Sequence, residues 1–359
     1  MSVKTKVGIL GGGGILNAHI AGFRAARDLV EVVAVAEPRR DREEFLRAEF
    51  GEGVCICSDY HDVVAMADVS AVDIILPHDL HMPATLAAAD AGKDVLVEKV
   101  MARNIYECDR MIEVCEGAGV SLTVCHDRRY HPQWVALKTV VDSGALGDMF
   151  FLKLEHNQNV VLPEGHWARS RDGIGGGAIM SCLTHQVDAL RWYGGEVESV
   201  TCMTKTMPER MEGEFLGLMG AKMRSGALGQ LSINWWTESG HSIDGLWYEL
   251  VHVCGTKGEA FNMTGRGTFV KLHEGADEAA LEQYGAGAGE GFVKVDAPAQ
   301  SGHEVCIVEW ARSLAGLDAT ITTTGRDSRR TVEVAEAAYR SEESGRTVSL
   351  PIEPKPWAE

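Results

Sequence analysis

Val7-Gly8-Ile9-Leu10-Gly11-Gly12-Gly13-Gly14-Ile15-Leu16 is an apolar strand that runs through glycines into a helix. Gly11 permits a tight turn, and Gly13 lets the backbone approach a pyrophosphate. Gly14, Ile15 and Leu16 open the helix, whose N-terminal N–H groups attract that anion. The third glycine position of this fingerprint is Leu16, a departure where helix normally packs closely on strand. Glu37 ends the next strand 21 residues after Leu16, where an acidic side chain accepts hydrogen bonds from ribose hydroxyls. Its carboxylate favours NAD, because it repels a 2′-phosphate. Arg39 and Arg40 follow at once and could bind that phosphate, so NADP stays open.

Outward from this motif the chain alternates. Strand patterns at 4–10, 30–36, 71–76, 94–97 and 121–125 are separated by helical patterns at 15–27, 39–50, 82–91 and 105–118. Strand–helix alternation implies βαβ units, hence a doubly wound parallel sheet and a Rossmann domain over residues 1–126. The rhythm then changes. Helical patterns at 133–141, 178–192, 304–315 and 329–340 frame a strand at 149–156, a polar loop at 157–177, and strand-like segments between 197 and 270. Among the latter are 227–236 and 246–254. Residues 274–291, rich in Gly and Ala, read as a loop. Residues 127–359 therefore predict an α+β domain with a large open, mainly antiparallel sheet, with its C-terminal helix free to pack back on the first domain. The fold class is α/β.

The 359 residues suffice for two domains, and 45% are hydrophobic, which suits large cores. With 34 basic and 52 acidic residues the formal charge is −18. That balance opposes nucleic-acid or anionic-membrane partners, because phosphate binding needs a cationic surface. No apolar run reaches the roughly 20 residues of a membrane helix. No signal peptide is evident, and nine scattered cysteines without a CxxC pair read as reduced thiols. A cytoplasmic location is expected.

Further motifs follow in order: Leu76-Pro77-His78-Asp79-Leu80-His81, then Ala91-Gly92-Lys93-Asp94-Val95-Leu96-Val97-Glu98-Lys99, then Arg128-Arg129-Tyr130-His131-Pro132. Gly175-Gly176-Gly177-Ala178, His185, Asp188, Gly255-Thr256-Lys257-Gly258 and the stretch from Ser344 to Pro351 complete the series. In this order and spacing the chain resembles the Gfo/Idh/MocA oxidoreductases along nearly its whole length. The resemblance implies an enzyme that moves a hydride between NAD(P) and a secondary hydroxyl or ketone of a sugar, cyclitol or glycoside. It implies a homodimer or homotetramer formed through sheet faces. It also implies cofactor contacts from Pro77, His78, His81, Glu98, Lys99, Asp127 and Arg128.

The chemistry explains the residue types. Removing a hydride from a carbinol also requires a base for the hydroxyl proton and a cation for the developing alkoxide. By resemblance, Lys99 is the catalytic lysine, and His185 the catalytic histidine, an imidazole suited to base work near neutrality. Ser181, His156, His166, Trp167 and Arg169 are further candidates for substrate contact. Three departures from the family pattern stand out. Val100 follows the lysine where proline is usual, so a trans Lys99–Val100 peptide is expected. Asp127 stands where Asn is common. Ser181, four residues before His185, replaces a frequent Asp. Thirteen histidines without an HExxH-type motif give no metal expectation. Two other readings share this pattern: a glycosidase-type enzyme that oxidises its sugar transiently, and a non-catalytic NAD(P)-binding regulator.

Overall fold

The computed structural model describes residues 4–237, 248–284 and 291–357. It contains two compact units. The first comprises Met1–Tyr130, Gln300–Arg330 and Pro354–Glu359, and the second His131–Ala299 and Thr331–Glu353.

The first unit holds β1 (Thr5–Leu10), β2 (Val30–Ala36), β3 (Cys55–Cys57), β4 (Ala71–Ile74), β5 (Asp94–Glu98) and β6 (Leu122–Cys125). They form one sheet in the order β3-β2-β1-β4-β5-β6, with every pair parallel. This is the doubly wound order, whose ligands bind beyond the carboxyl ends of the strands. Val7, Ile9, Val72, Ile74, Leu96 and Val97 are fully buried, as a sheet covered on both faces requires. Helix boundaries follow local chemistry: the Asn104 side chain caps Ile105–Ala118, and Gly119 closes it in a left-handed conformation. The late helix Gly302–Leu314, capped by Ser301, puts Ile307, Trp310 and Ala311 into the same core as Leu16, Phe23 and Leu96. The sequence expectation counts the helical pattern at 304–315 within residues 127–359, whereas this helix belongs to the first unit.

The second unit holds β7 (Met149–Asn157), β8 (Val197–Thr206), β9 (Glu214–Met223), β10 (Leu228–Asn234), β11 (Tyr248–Gly255), β12 (Gly258–Met263), β13 (Gly267–Leu272), β14 (Val293–Val295) and β15 (Val348–Ser349). Their order is β14-β13-β12-β11-β7-β10-β9-β8-β15, and only β7 and β10 pair in parallel. Buried residues alternate with partly or fully exposed ones along β9, β11 and β12, the mark of a sheet with one covered face. Two loop expectations need correction. Residues 274–291 include a helix, Glu278–Tyr284, while 285–290 and the expected strand start at 246–247 lie outside the described residues. The polar segment 157–177 contains two short helical turns, Trp167–Arg169 and Arg171–Ile174. Both are too short for periodicity to reveal.

Candidate functional site

In the first unit the glycine turn follows β1 directly. Gly11 has φ +110°, and a Cβ there would lie 2.6 Å from the Ile75 carbonyl oxygen, so only glycine fits. Gly13 and Gly14 differ: a Cβ on either would meet nothing within 4 Å. The protein itself does not need glycine there; a ligand lying against the turn would. The helix Leu16–Ala25 starts at Ile15 without a side-chain cap, which suits an anion at its N-terminus. Leu16 itself is fully buried in the core, so the departure is absorbed by packing, and only its backbone can serve a cofactor.

Glu37 is 6% exposed. Arg39 holds it from three donors: its backbone N–H and Nε to Oε1, and Nη2 to Oε2, each at 2.9 Å. Burial alone would raise the carboxyl pKa, but the hydrogen bonds and charge of Arg39 outweigh it and lower the pKa. Arg39 is thus already spent on Glu37. Arg40 is exposed, whereas Arg42, not singled out in the sequence, donates from Nε to the Gly12 carbonyl at 3.1 Å.

At the end of β5, the Lys99 N–H donates to Glu98 Oε2 at 2.9 Å. The Lys99–Val100 peptide is cis, which corrects the expectation of a trans bond. The surroundings fix this segment without proline: Val100 is fully buried, and its carbonyl lies 2.8 Å from His81 Nδ1. His81 Nε2 lies 2.8 Å from the Leu76 carbonyl. Both ring nitrogens are therefore occupied by backbone, and His81 braces the segments at Leu76 and Val100. Burial lowers its pKa, against the opposing pull of the two carbonyl contacts. Pro77 precedes the helix His78–Asp90, and the His78 ring lies 5.5 Å from that of His81. Asp127 is buried and pairs with the guanidinium of Arg128.

In the second unit, His185 lies near the start of Thr184–Gly194 and is 6% exposed. The His156 ring on β7 lies parallel to it, at 4° and 6.4 Å between centroids. Glu249 on β11, 2% exposed, takes His156 Nδ1 and Gln186 Nε2 on Oε1, each at 3.1 Å. Glu249 and Gln186 were not foreseen: Glu249 stands opposite His156 through the β7–β11 pairing, and Gln186 reaches Glu249 from the helix, which no local motif announces. Ser181 lies in a π-helical stretch, Ile179–Leu183, that runs straight into the His185 helix. The expected single α-turn between Ser181 and His185 is thus a wider one. His166 accepts the Ala168 N–H at Nδ1 and stacks on Trp167. Arg169 donates to the Glu209 carbonyl at 2.9 Å and lines a pocket with Val161, Met211, Phe215 and Trp235.

The glycine run before His185 has a structural cause. Gly176 has φ +139°, and a Cβ there would meet the Tyr339 hydroxyl at 2.2 Å. That hydroxyl accepts the N–H groups of Gly177 and Met180 at 3.0 and 3.2 Å, and donates to Glu214 Oε1 at 2.9 Å. Glu214 Oε1 also accepts the Ile179 N–H at 2.8 Å. Tyr339 and Glu214 therefore hold the start of the segment that carries Ser181 and His185.

Burial pushes the Glu214 carboxyl up to about 7, against 4.5 when exposed. The fold keeps the neutral acid, so this contribution is complete below pH 4.5 and is lost as pH rises through about 7. The loss amounts to about 3 kcal/mol at most. Gln can accept the same two hydrogen bonds but never ionises. Glu214→Gln should therefore gain thermal midpoint relative to wild type as pH rises from 5 to 8. Thermal melts across that range test it, and a difference independent of pH would refute the assignment.

Comparison with known proteins places both units. Residues 5–126 match a family model described as oxidoreductase family, NAD-binding Rossmann fold, and residues 134–261 match the GFO/IDH/MocA C-terminal domain. Levoglucosan dehydrogenase of Pseudarthrobacter phenanthrenivorans is 28% identical over 217 residues, 57% of this chain and 55% of that protein. Inositol 2-dehydrogenase of Klebsiella pneumoniae (strain 342) is 32% identical over 191 residues, 53% and 54% of the two chains. The chain thus spans about half the length of these relatives. In fold, the WlbA dehydrogenase of Bordetella pertussis, solved with NADH and UDP-GlcNAcA, matches with TM-score 0.81 at 24% identity, covering 98% of this chain and 100% of that one.

Proposed function

The chain belongs to the GFO/IDH/MocA family of oxidoreductases, and from that premise we propose that it transfers a hydride between NAD and a secondary hydroxyl or ketone of a sugar, cyclitol or glycoside. The observation that carries this reading lies within the first unit. An open glycine turn, a buried acid closing β2 and a lysine just past β5 all stand at the carboxyl ends of one parallel sheet. Bound NAD would supply the hydride acceptor. Gly13 and Gly14 would give its pyrophosphate room, and Glu37 would receive ribose hydroxyls on the lone pairs that Arg39 leaves. Lys99 would hydrogen-bond the reacting oxygen, and His185 would take its proton. A panel of polyols, cyclitols and glycosides, read by absorbance of reduced cofactor, tests the reading. Net reduction with at least one alcohol supports it. Glycoside cleavage without net reduction would favour the glycosidase-type cycle, and silence across the panel would favour a regulator.

Two variants probe the cofactor. Gly13→Ala should leave the melting temperature unchanged, because its Cβ meets no protein atom, yet weaken NAD binding. Glu37→Ala should weaken NAD by about 10- to 100-fold, the scale of hydrogen bonds to a charged group. It should also relax discrimination against NADP by freeing Arg39. Titration calorimetry with both cofactors reads this out. Tighter binding of NADP than NAD by the wild type would sink the Glu37 assignment.

The same reading includes a cytoplasmic homo-oligomer. The cysteines are free thiols, and none of the described helices is long and apolar enough to cross a membrane. On the exposed face of the second unit's sheet, Met203 and Leu218 pair across strands, and Phe261 stacks on Phe269 at 5.0 Å. Light scattering after size exclusion would give the subunit count.

A further inference from the structure

A second cluster of reactive side chains lies inside the first unit. His19 from Leu16–Ala25, Glu98 closing β5, Cys125 closing β6 and His303 from Gly302–Leu314 each offer one ligand atom. These four atoms lie within 4.8 Å of one another. His19, Glu98 and Cys125 are buried, and the His303 side chain is 16% exposed. His19 Nε2 is 2.9 Å from Glu98 Oε1, and His303 Nε2 is 3.3 Å from the same oxygen. Tetrahedral zinc, with bonds of about 2.0–2.3 Å, sets its donors roughly 3.3–3.8 Å apart. A small outward movement of these side chains would make a coordination sphere.

The surroundings favour a cation over hydrogen bonds alone. Both imidazoles turn Nδ1 to a carboxylate, His19 to Asp73 Oδ2 at 2.7 Å and His303 to Asp127 Oδ2 at 3.5 Å. A carboxylate at Nδ1 holds the proton there and leaves Nε2 as the ligand nitrogen, the usual outer shell of a metal-bound histidine. Without an ion, each Nε2 would also need a proton to face Glu98 Oε1. Asp73 is fully buried, and its Oδ1 has no hydrogen-bond partner among the described residues, so negative charge here exceeds what neutral rings offset.

We propose that His19, Glu98, Cys125 and His303 bind a zinc ion. Thiolate and imidazole donors select such a borderline-soft cation over magnesium or calcium. Binding releases the Cys125 thiol proton, and the ion's two charges balance Glu98 and the thiolate. Glu98 Oε2 stays on the Lys99 N–H. With four protein ligands the site is closed and structural: it ties the late helix Gly302–Leu314 to the ends of β5 and β6. The ligands are too far apart in sequence for any spacing motif to reveal.

The test uses the full chain produced in zinc-supplemented medium, with metal content by mass spectrometry and visible absorption of the cobalt-substituted protein. About one zinc per chain and a thiolate-to-cobalt charge-transfer band are expected. Cys125→Ser should abolish the band, and both Cys125→Ser and His303→Ala should lower zinc to about a tenth of an equivalent or less. His252→Ala is the control. It disrupts the other such group, where His252 Nε2 lies 2.8 Å from Glu259 and 3.5 Å from Cys254, and it should change neither reading. A zinc-free wild type would overturn the proposal. So would zinc retained by both Cys125→Ser and His303→Ala, or lost only in His252→Ala. Should a variant fail to fold by circular dichroism, the wild-type cobalt spectrum decides, and absence of the thiolate band overturns the site.

Discussion

Lys99→Met is expected to lower kcat by about two orders of magnitude or more, the scale of general acid–base catalysis, while NAD binds nearly as before. Met matches the length of the lysine stem and removes only the ammonium. The backbone around it is held by other groups. The Lys99 N–H is on Glu98, the Val100 carbonyl is beside His81 Nδ1, and Val100 is fully buried. The substitution should therefore leave the local fold in place, so that lost turnover reports lost chemistry. Single-turnover kinetics separate the two terms: the hydride step slows, and cofactor titration is unmoved. Lys99→Arg keeps the charge but offers a planar fork in place of a compact ammonium, and should recover only part of the rate. Near-wild-type turnover in Lys99→Met would remove the proposed mechanism.

What the sequence disclosed depended on how local the determinant was. Strand, glycine turn, helix and Glu37 lie within the first 37 residues, and the parallel sheet follows from strand–helix alternation. The resemblance directed attention to His185. It gave no hint of Tyr339 and Glu214, which fix the preceding segment from 159 and 35 residues away along the chain. Helix Gly302–Leu314 illustrates a second limit. Its apolar stripe demands burial, but amphipathicity does not name the receiving core. Val100 illustrates a third. Only proline advertises a cis bond in sequence, whereas here the bond accompanies a buried side chain and the His81 contact. Arg39 illustrates a fourth: as a residue name it suggested a phosphate ligand, and the geometry places its guanidinium on Glu37.

His185→Ala should also impair turnover severely, and it should remove the low-pH limb of the rate profile, because the proposed base, which must be deprotonated, is gone. The neighbourhood of His185 says how that limb should move in other variants. Four residues before His185 stands Ser181, whose hydroxyl can orient a substrate but supplies no charge. Two buried acids bear on this region: Asp188 on the same helix, held by Thr331 and Arg191, and Glu249, which touches His156, whose ring lies parallel to that of His185. A carboxylate near an imidazole favours the imidazolium and raises the pKa. Ser181→Asp should therefore shift the limb to higher pH. Glu249→Gln keeps an acceptor for His156 and Gln186 but removes a charge, and should shift the limb to lower pH with a smaller loss of rate than His185→Ala. Profiles of kcat/KM against pH for the three variants decide the matter. If the limb stays in place in both Ser181→Asp and Glu249→Gln, another group titrates. If Glu249→Gln loses activity with no shift, Glu249 only holds His156 in position.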